Sequence, residues 1–543
     1  MKALIASVSV AAVAALGLGS ASVGNAAPAP ATAVAPASAR AAAANVCTDT
    51  PLATMPAGIK PGNLLADPQD VTAESTTQTG RVYRILYATT GEGGSIVPSC
   101  GLVAVPDGNS ISGVVAWAHG TDGLKQDCQP SNNPAKNFVG PMFAGIGPVT
   151  KKGAQSDGAL YNMLKDGYAV VATDYPSGLG NSGMQRYVLG VAEGLAVLDS
   201  ARAVTNNAAQ FGLSNIATNA QLPLVTWGHS QGGGSALWAG QLAKSYLSAM
   251  GDQTLNLAGV AAEAPATQFT TSPGQPASYM GNHLGDRDMY NTNPGLGVPF
   301  PIGVALFSFV TASWSKVQNG TAGQFPVAPT NKISHLLVLT ADGNVTAPVV
   351  AANCLNLKGL LPVYVTVRPY LKPDTTRFFA EPFGGSSNGG VWTGGIDATC
   401  ASPKKYSQAV QDWCAWLQYN MPGPYGVNNF AKLPLDNKGN KVPILLAQGL
   451  DDRIIWCVDT QGQVQGANCL TDQFFHSLKP GYCDGSGYLN AAYFPGVSHL
   501  GIPAAIATKP NTTTYNGSPL DLFMHGAMKG NLAPGCSADL DGP

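Results

Sequence analysis

The chain has 543 residues, only 11% of them charged, with 65 Gly, 40 Pro and a formal net charge of −2. Length alone suits about three domains' worth of chain, or one large α/β fold that has absorbed insertions. A balance so near neutral leaves no basic or acidic footprint, which sets aside nucleic-acid and anionic-membrane binding.

The N-terminus has Lys2, an apolar run over 3–18 and small residues over 20–27. That order predicts a secretion signal at 1–27, cut near Ala26 or Ala27. Its Ala-rich core is short for an anchor, and no later stretch holds about 20 unbroken apolar residues, so membrane insertion is not expected. Residues 28–45, nearly all Ala, Pro, Val, Thr and Ser, read as a linker or pro-segment. Ten cysteines (47, 100, 128, 354, 400, 414, 457, 469, 483 and 536) in an exported chain predict disulfides. They include no Cys-x-x-Cys pair, which argues against zinc or redox chemistry. Cys457 and Cys469 are spaced for a local loop closure; the remaining connectivity is not legible.

Strand-like runs follow at 81–87, 101–105, 113–120 and 167–174, with a short helix at 160–166. Residues 187–204 carry Val188, Val191, Leu195 and Leu198 on one helical face and predict a crossover helix. A further strand begins at Leu222, and another is predicted at 255–263. Apolar strands alternating with helices describe a mostly parallel sheet covered on both faces. The alternation fails over about 266–435, which reads as an inserted cap. Within it, 403–419 is a helix candidate with Ser402 as N-cap and Pro403 at the first helical position. An apolar, proline-broken run at 298–310 suggests a short helix from about Val304 after an irregular loop. Sheet character returns over 442–449, then a helix at 471–478 and a strand at 487–494. The expected layout is a core at 46–265 and 436–510, the insertion at 266–435, and a turn-rich tail at 511–543 with no assigned role. No solenoid or propeller repeat is visible.

Between the strand beginning at Leu222 and a helix-spaced run from Ala236 stand Gly228, His229, Ser230, Gln231 and Gly232. Gly-x-Ser-x-Gly between strand and helix is the nucleophile elbow of the α/β-hydrolase fold. A turn this tight forces strained angles on the serine, and the two glycines let strand and helix approach around it. It would expose the Ser230 hydroxyl and aim the Gln231 N–H at a forming oxyanion. A serine needs an adjacent base and a group that orients the base, and this fold supplies them in the order Ser, Asp or Glu, His. His499, after the last predicted core strand, is the candidate base. His119, His229, His283, His335, His476 and His525 compete and are read as satisfied or solvated. The acid is Asp451 or Asp452; the Gly-x-x-Asp spacing from Gly449 favours Asp452. The second oxyanion donor is the backbone N–H of Thr121 or Asp122, with Thr121 preferred.

Several segments together resemble the secretory lipases of the α/β-hydrolase fold. They are Asp174-Tyr175, Gly178 to Gly180, Tyr187 with Gly190, the Leu198-Asp199 to Arg202-Ala203 helix end, Trp227 to Gly234, Gly449 with Asp452, and the His499 loop. The resemblance spans about 80–265 and 440–505, and it implies a triad of Ser230, Asp452 and His499 with a cap between elbow and acid. The expected protein is a secreted serine ester hydrolase, a lipase or carboxylesterase working through an acyl-enzyme. No cofactor or metal is expected. Its partner is a small-molecule or lipid ester, and it is expected to act as a monomer. Rival readings are a feruloyl esterase or tannase, a secreted prolyl-type peptidase, and a binding protein that has lost catalysis. Disulfide-bridged feruloyl esterases place Cys before the serine and after the histidine; His229 and Leu500 stand there instead.

Overall fold

The computed structural model describes residues 45–48, 54–75, 80–91, 94–134, 159–177, 184–214, 216, 221–270, 306, 309–310, 313–314, 317, 400–405, 408–452, 454–455, 457, 469–508 and 518–538. All of them fall in the unit Asn45–Pro543. The proposed signal, the linker up to residue 44, Gly178 to Gly180, His283, His335 and Cys354 lie outside the described residues, as does most of the proposed insertion.

Ten strands form one sheet: β1 (Gln69–Asp70), β2 (Arg81–Thr90), β3 (Ile96–Val105), β4 (Gly113–Ala118), β5 (Tyr168–Pro176), β6 (Leu222–His229), β7 (Leu255–Glu263), β8 (Ile444–Gly449), β9 (Tyr488–Phe494) and β10 (Gly535–Ala538). Their order is β1-β2-β3-β5-β4-β6-β7-β8-β9-β10. From β5 across to β10 every pairing is parallel, while β1, β2 and β3 add an antiparallel edge. β4, β5 and β6 are almost wholly apolar because helices cover both faces. Trp117 of β4 and Trp227 of β6 sit in register, their rings 4.2 Å apart and fully buried. Burying two such side chains contributes several kcal/mol to the sheet's centre, at about 25 cal/mol per Å² of apolar surface.

The described helices are α1 (Thr72–Ser75), α2 (Ala159–Lys165), α3 (Gly190–Asn206), α4 (Gln231–Ala249), α5 (Gln408–Tyr419), α6 (Leu470–Tyr482), α7 (Ile502–Thr508) and α8 (Pro519–Lys529). Three differ from expectation. α4 starts at Gln231 rather than Ala236, although Gly232, Gly233 and Gly234 are poor helix formers. Tertiary packing overrides propensity here. A Cβ on Gly232 would overlap the Ala118 carbonyl, and one on Gly228 would overlap the Gly232 carbonyl. The 403–419 helix is split into a 3₁₀ turn at Pro403–Lys405 and α5. The turn-rich tail holds α8, capped by Ser518, and β10, which extends the parallel sheet beside β9. β3 also begins five residues earlier than its predicted 101–105 core, running through Pro98.

Four disulfides are described: Cys47–Cys100, Cys400–Cys414, Cys457–Cys469 and Cys483–Cys536. Cys128 is disulfide-bonded as well, and among the described residues no cysteine is free. The Cys457–Cys469 closure is the one expected from spacing. Among the described residues no helix is long and apolar enough to cross a membrane.

Candidate active site

Ser230 directly follows β6 and caps α4 with φ 60° and ψ −120°, a conformation that a side chain makes costly. Its N–H donates to Glu263 O at 2.8 Å, and its carbonyl accepts from Ala266 N at 3.0 Å and Gly234 N at 3.2 Å. The elbow is therefore held from the end of β7. Among the described residues, three other non-glycine residues have positive φ: Tyr175 (62°), Val188 (52°) and Ala264 (39°). Tyr175 is the penultimate residue of β5, and Ala264 directly follows β7. Each such residue stores roughly 1–3 kcal/mol, and strain of this kind collects where geometry serves function.

The turn after β8 carries both candidate acids, Asp451 and Asp452. Asp452 is fully buried, whereas Asp451 is exposed. Asp452 Oδ1 accepts from the N–H groups of Ile454 and Ile455 at 2.8 and 3.0 Å. Its Oδ2 accepts from Gln448 Nε2 at 2.8 Å and from His499 Nδ1 at 2.7 Å. A carboxylate with this many donors is fixed before the imidazole arrives, and it sets that ring's tautomer. His499 opens a short 3₁₀ turn after β9 and is itself buried.

His229, directly before Ser230, is buried and hydrogen-bonded. Its Nε2–H donates to the His499 carbonyl at 3.0 Å, and the two rings are 4.5 Å apart. Burial, with His499 beside it, holds the His229 pKa well below the usual histidine value, so the ring stays neutral. This anchoring of the His499 loop is a contact that sequence reading does not anticipate. Of the other described histidines, His476 pairs with Asp472 at 3.4 Å and His525 lies 3.9 Å from Asp166; both side chains are about half exposed.

The loop after β4 approaches the elbow closely. A Cβ built on Gly120 would come within 3.6 Å of Ser230 Cβ. Thr121 and Asp122, next along the chain, are both buried. The Thr121 hydroxyl lies 2.8 Å from the Tyr187 hydroxyl, and Tyr175 donates to the His119 carbonyl at 2.8 Å. Burial alone would lower the His119 pKa. The Asp122 carboxyl, 3.2 Å from Nδ1, together with Asp174 and the Gly120 carbonyl, outweighs it and the pKa is raised.

Three buried carboxylates from the family-like segments brace this framework. Asp174 accepts from Ser131 N and Oγ, fixing the loop under β3. Asp199 accepts from Thr89, Tyr246 and Arg202, and Arg202 also reaches Asp252. Glu193 of α3 accepts from Val188 N–H and from Gln231 Nε2, and it lies 2.8 Å from Ser235 Oγ. Burial pushes the Glu193 carboxyl up to about 7. Glu263, behind the elbow, accepts from Trp227 Nε1 and is pushed up to about 8 by burial. Among the described residues no cluster of His, Cys, Asp and Glu could hold a metal ion.

The secretory lipase family model matches residues 151–273, from before α2 through the elbow to beyond the end of β7. No curated protein matches the sequence. Candida antarctica lipase A in its closed state is similar in fold, with TM-score 0.52 at 17% identity over 91% of each chain. The rice cell wall degrading esterase LipA from Xanthomonas oryzae also aligns, with TM-score 0.48 at 16% identity over 82% of this chain and 93% of that one. The family match over that segment is to a lipase, and the Candida antarctica lipase A likeness is one of fold. The resemblance read from the sequence therefore stands: through residues 151–273 the chain matches the secretory lipase family, and it does so on an α/β-hydrolase fold.

Proposed function

We propose that the protein is an exported serine carboxylic-ester hydrolase that works through an acyl-enzyme. The observation that carries this reading is the buried Asp452–His499 pair, tied through His229 to a strained Ser230 at the tip of β6. Ser230 Oγ attacks the ester carbonyl carbon as His499 Nε2 takes its proton, and Asp452 stabilises the imidazolium. The tetrahedral oxyanion accepts hydrogen bonds from the backbone N–H groups of Gln231 and Thr121. Gln231 is the first residue of α4, so the helix's positive end adds to that stabilisation. Collapse expels the alcohol, protonated by His499. Water, deprotonated by His499, then attacks the acyl-enzyme and releases the acid. One such donor is worth roughly 3 kcal/mol of transition-state stabilisation.

Disulfides and the family match support export to an oxidising compartment. The substrate is read as an ester of short to medium acyl length. Of the apolar run at 298–310, Leu306, Phe309 and Val310 are described; they are helical, and the last two are buried. Phe309 packs edge-on against Tyr187 at 5.8 Å, which supports an apolar element beside the oxyanion loop. The test is pre-steady-state hydrolysis of p-nitrophenyl butyrate. An alcohol burst equal to the enzyme concentration is expected, and a chain that releases no nitrophenol from any simple acyl ester would refute the proposal.

A further inference from the structure

The approach to α3, from Tyr187 to Glu193, touches both residues assigned to the oxyanion hole. The Tyr187 hydroxyl is 2.8 Å from Thr121 Oγ1. Glu193 Oε1 accepts from Gln231 Nε2 at 2.5 Å and from Val188 N–H at 2.7 Å. Glu193 Oε2 lies 2.8 Å from Ser235 Oγ, which in turn is 2.9 Å from the Gln231 carbonyl. Gln231 is thus gripped at side chain and main chain by one buried carboxyl group. Between the two contacts Val188 sits at φ 52°, a conformation that a β-branched residue keeps only when its surroundings impose it.

The same stretch is pinned from its other side by the segment inserted between β7 and β8. Ser313 Oγ accepts the Tyr187 N–H at 2.9 Å and donates to the Gln185 carbonyl at 3.0 Å. The Trp314 indole N–H donates to the Tyr187 carbonyl at 2.9 Å. Asn420 accepts the Gly190 N–H at 3.0 Å and the Trp238 indole N–H at 3.1 Å, so it joins α3 and α4. The Tyr187 carbonyl therefore ends on the insertion, its N–H is shared between Ser313 and the Gln185 carbonyl, and its phenol ends on Thr121.

We propose that Tyr187–Glu193 is a strap through which the inserted segment sets the two oxyanion donors, with Tyr187 and Glu193 as positioning residues and Ser313 as the insertion's grip on them. The proposal rests on the ester-hydrolase reading above. With the insertion seated, the Tyr187 main chain is fixed on both sides and its hydroxyl holds Thr121 toward the elbow. Loosening the Ser313 contact frees that hydroxyl, and the loop after β4 loses its brace. Glu193 works with either protonation state at Ser235. A neutral carboxyl donates to Ser235 Oγ, which then donates to the Gln231 carbonyl. A glutamine preserves that pattern and an alanine abolishes it.

The test uses the full exported chain and p-nitrophenyl butyrate, with kcat expressed per active site titrated by a fluorophosphonate. That normalisation removes losses due to misfolding, so a merely structural role would leave the per-site kcat unchanged. Tyr187→Phe and Ser313→Ala should each lower per-site kcat by about tenfold with KM within about twofold, against the 10²–10³ lost when an oxyanion donor itself is removed. The double variant should be little worse than the worse single, because both act on one contact chain. Glu193→Ala should show a similar loss, mostly recovered in Glu193→Gln. Additive losses in the double variant, an unchanged per-site kcat in either single, or losses confined to KM would overturn the strap while leaving the enzyme reading intact. A wild-type chain with no ester turnover would defeat the enzyme reading, and the strap with it.

Discussion

His499 Nδ1 lies 2.7 Å from Asp452 Oδ2, while Asp451, one residue earlier, is exposed and uses its N–H on the Val497 carbonyl. The two aspartates share one turn and differ in where the turn sends them. Asp452→Asn should lower kcat by about 10⁴, because an amide favours the wrong imidazole tautomer. Asp451→Asn should change it by no more than a few-fold. Steady-state kinetics on one ester decides, and the reverse ranking would move the acid to Asp451.

The strands, the elbow and the order Ser, Asp, His were legible because each leaves a local pattern: apolar runs, a glycine-flanked serine, a Gly-x-x-Asp turn. What stayed hidden depends on contacts between distant segments. Nothing near His229 reveals that its ring will hold the His499 carbonyl, 270 residues away. The glycines at 232–234 argue locally against a helix, and only the Ala118, Glu263 and Ala266 backbones pressed against them explain why α4 starts there. β10 was missed for a similar reason. A four-residue strand with partly exposed side chains takes its conformation from pairing with β9 rather than from composition.

Glu263 makes stability depend on pH. Its carboxyl is raised by burial to about 8 from an ordinary 4.5, so the folded state holds its proton more tightly than the unfolded chain does. Stability from this group is greatest below about pH 4.5 and is lost as pH rises through about 8, since the unfolded state then binds fewer protons than the folded one. Glu263→Gln should flatten the fall in Tm between pH 5 and 8, as followed by circular dichroism. An unchanged slope would mean that the carboxyl titrates normally.

The Cys457–Cys469 bridge joins the turn carrying Asp452 to the start of α6. Replacing both cysteines by alanine should cost about 2–5 kcal/mol of stability and lower kcat at temperatures where the fold persists. Differential scanning calorimetry and kinetics on the same preparation test this. A kcat equal to wild type would show that the acid turn holds itself.

The proposed preference for short to medium acyl chains can be read on an ester series. Each methylene buried against an apolar wall contributes about 0.8 kcal/mol until the wall is full. Across p-nitrophenyl esters from acetate to palmitate, kcat/KM should rise and then fall, with its maximum at a short to medium chain. A steady rise to palmitate with activation at an oil–water interface would instead mark a lipase for long-chain substrates. Cleavage of feruloyl esters alone would favour the aromatic-ester alternative.

The central claim is that Ser230 is the nucleophile, and covalent labelling addresses it most directly. Wild-type protein incubated with a fluorophosphonate and digested should carry one adduct, on the peptide containing Ser230. Ser230→Ala should fold with an unchanged Tm, take no label and release no alcohol from any ester. An adduct on another serine, or ester turnover persisting in Ser230→Ala, would contradict the account.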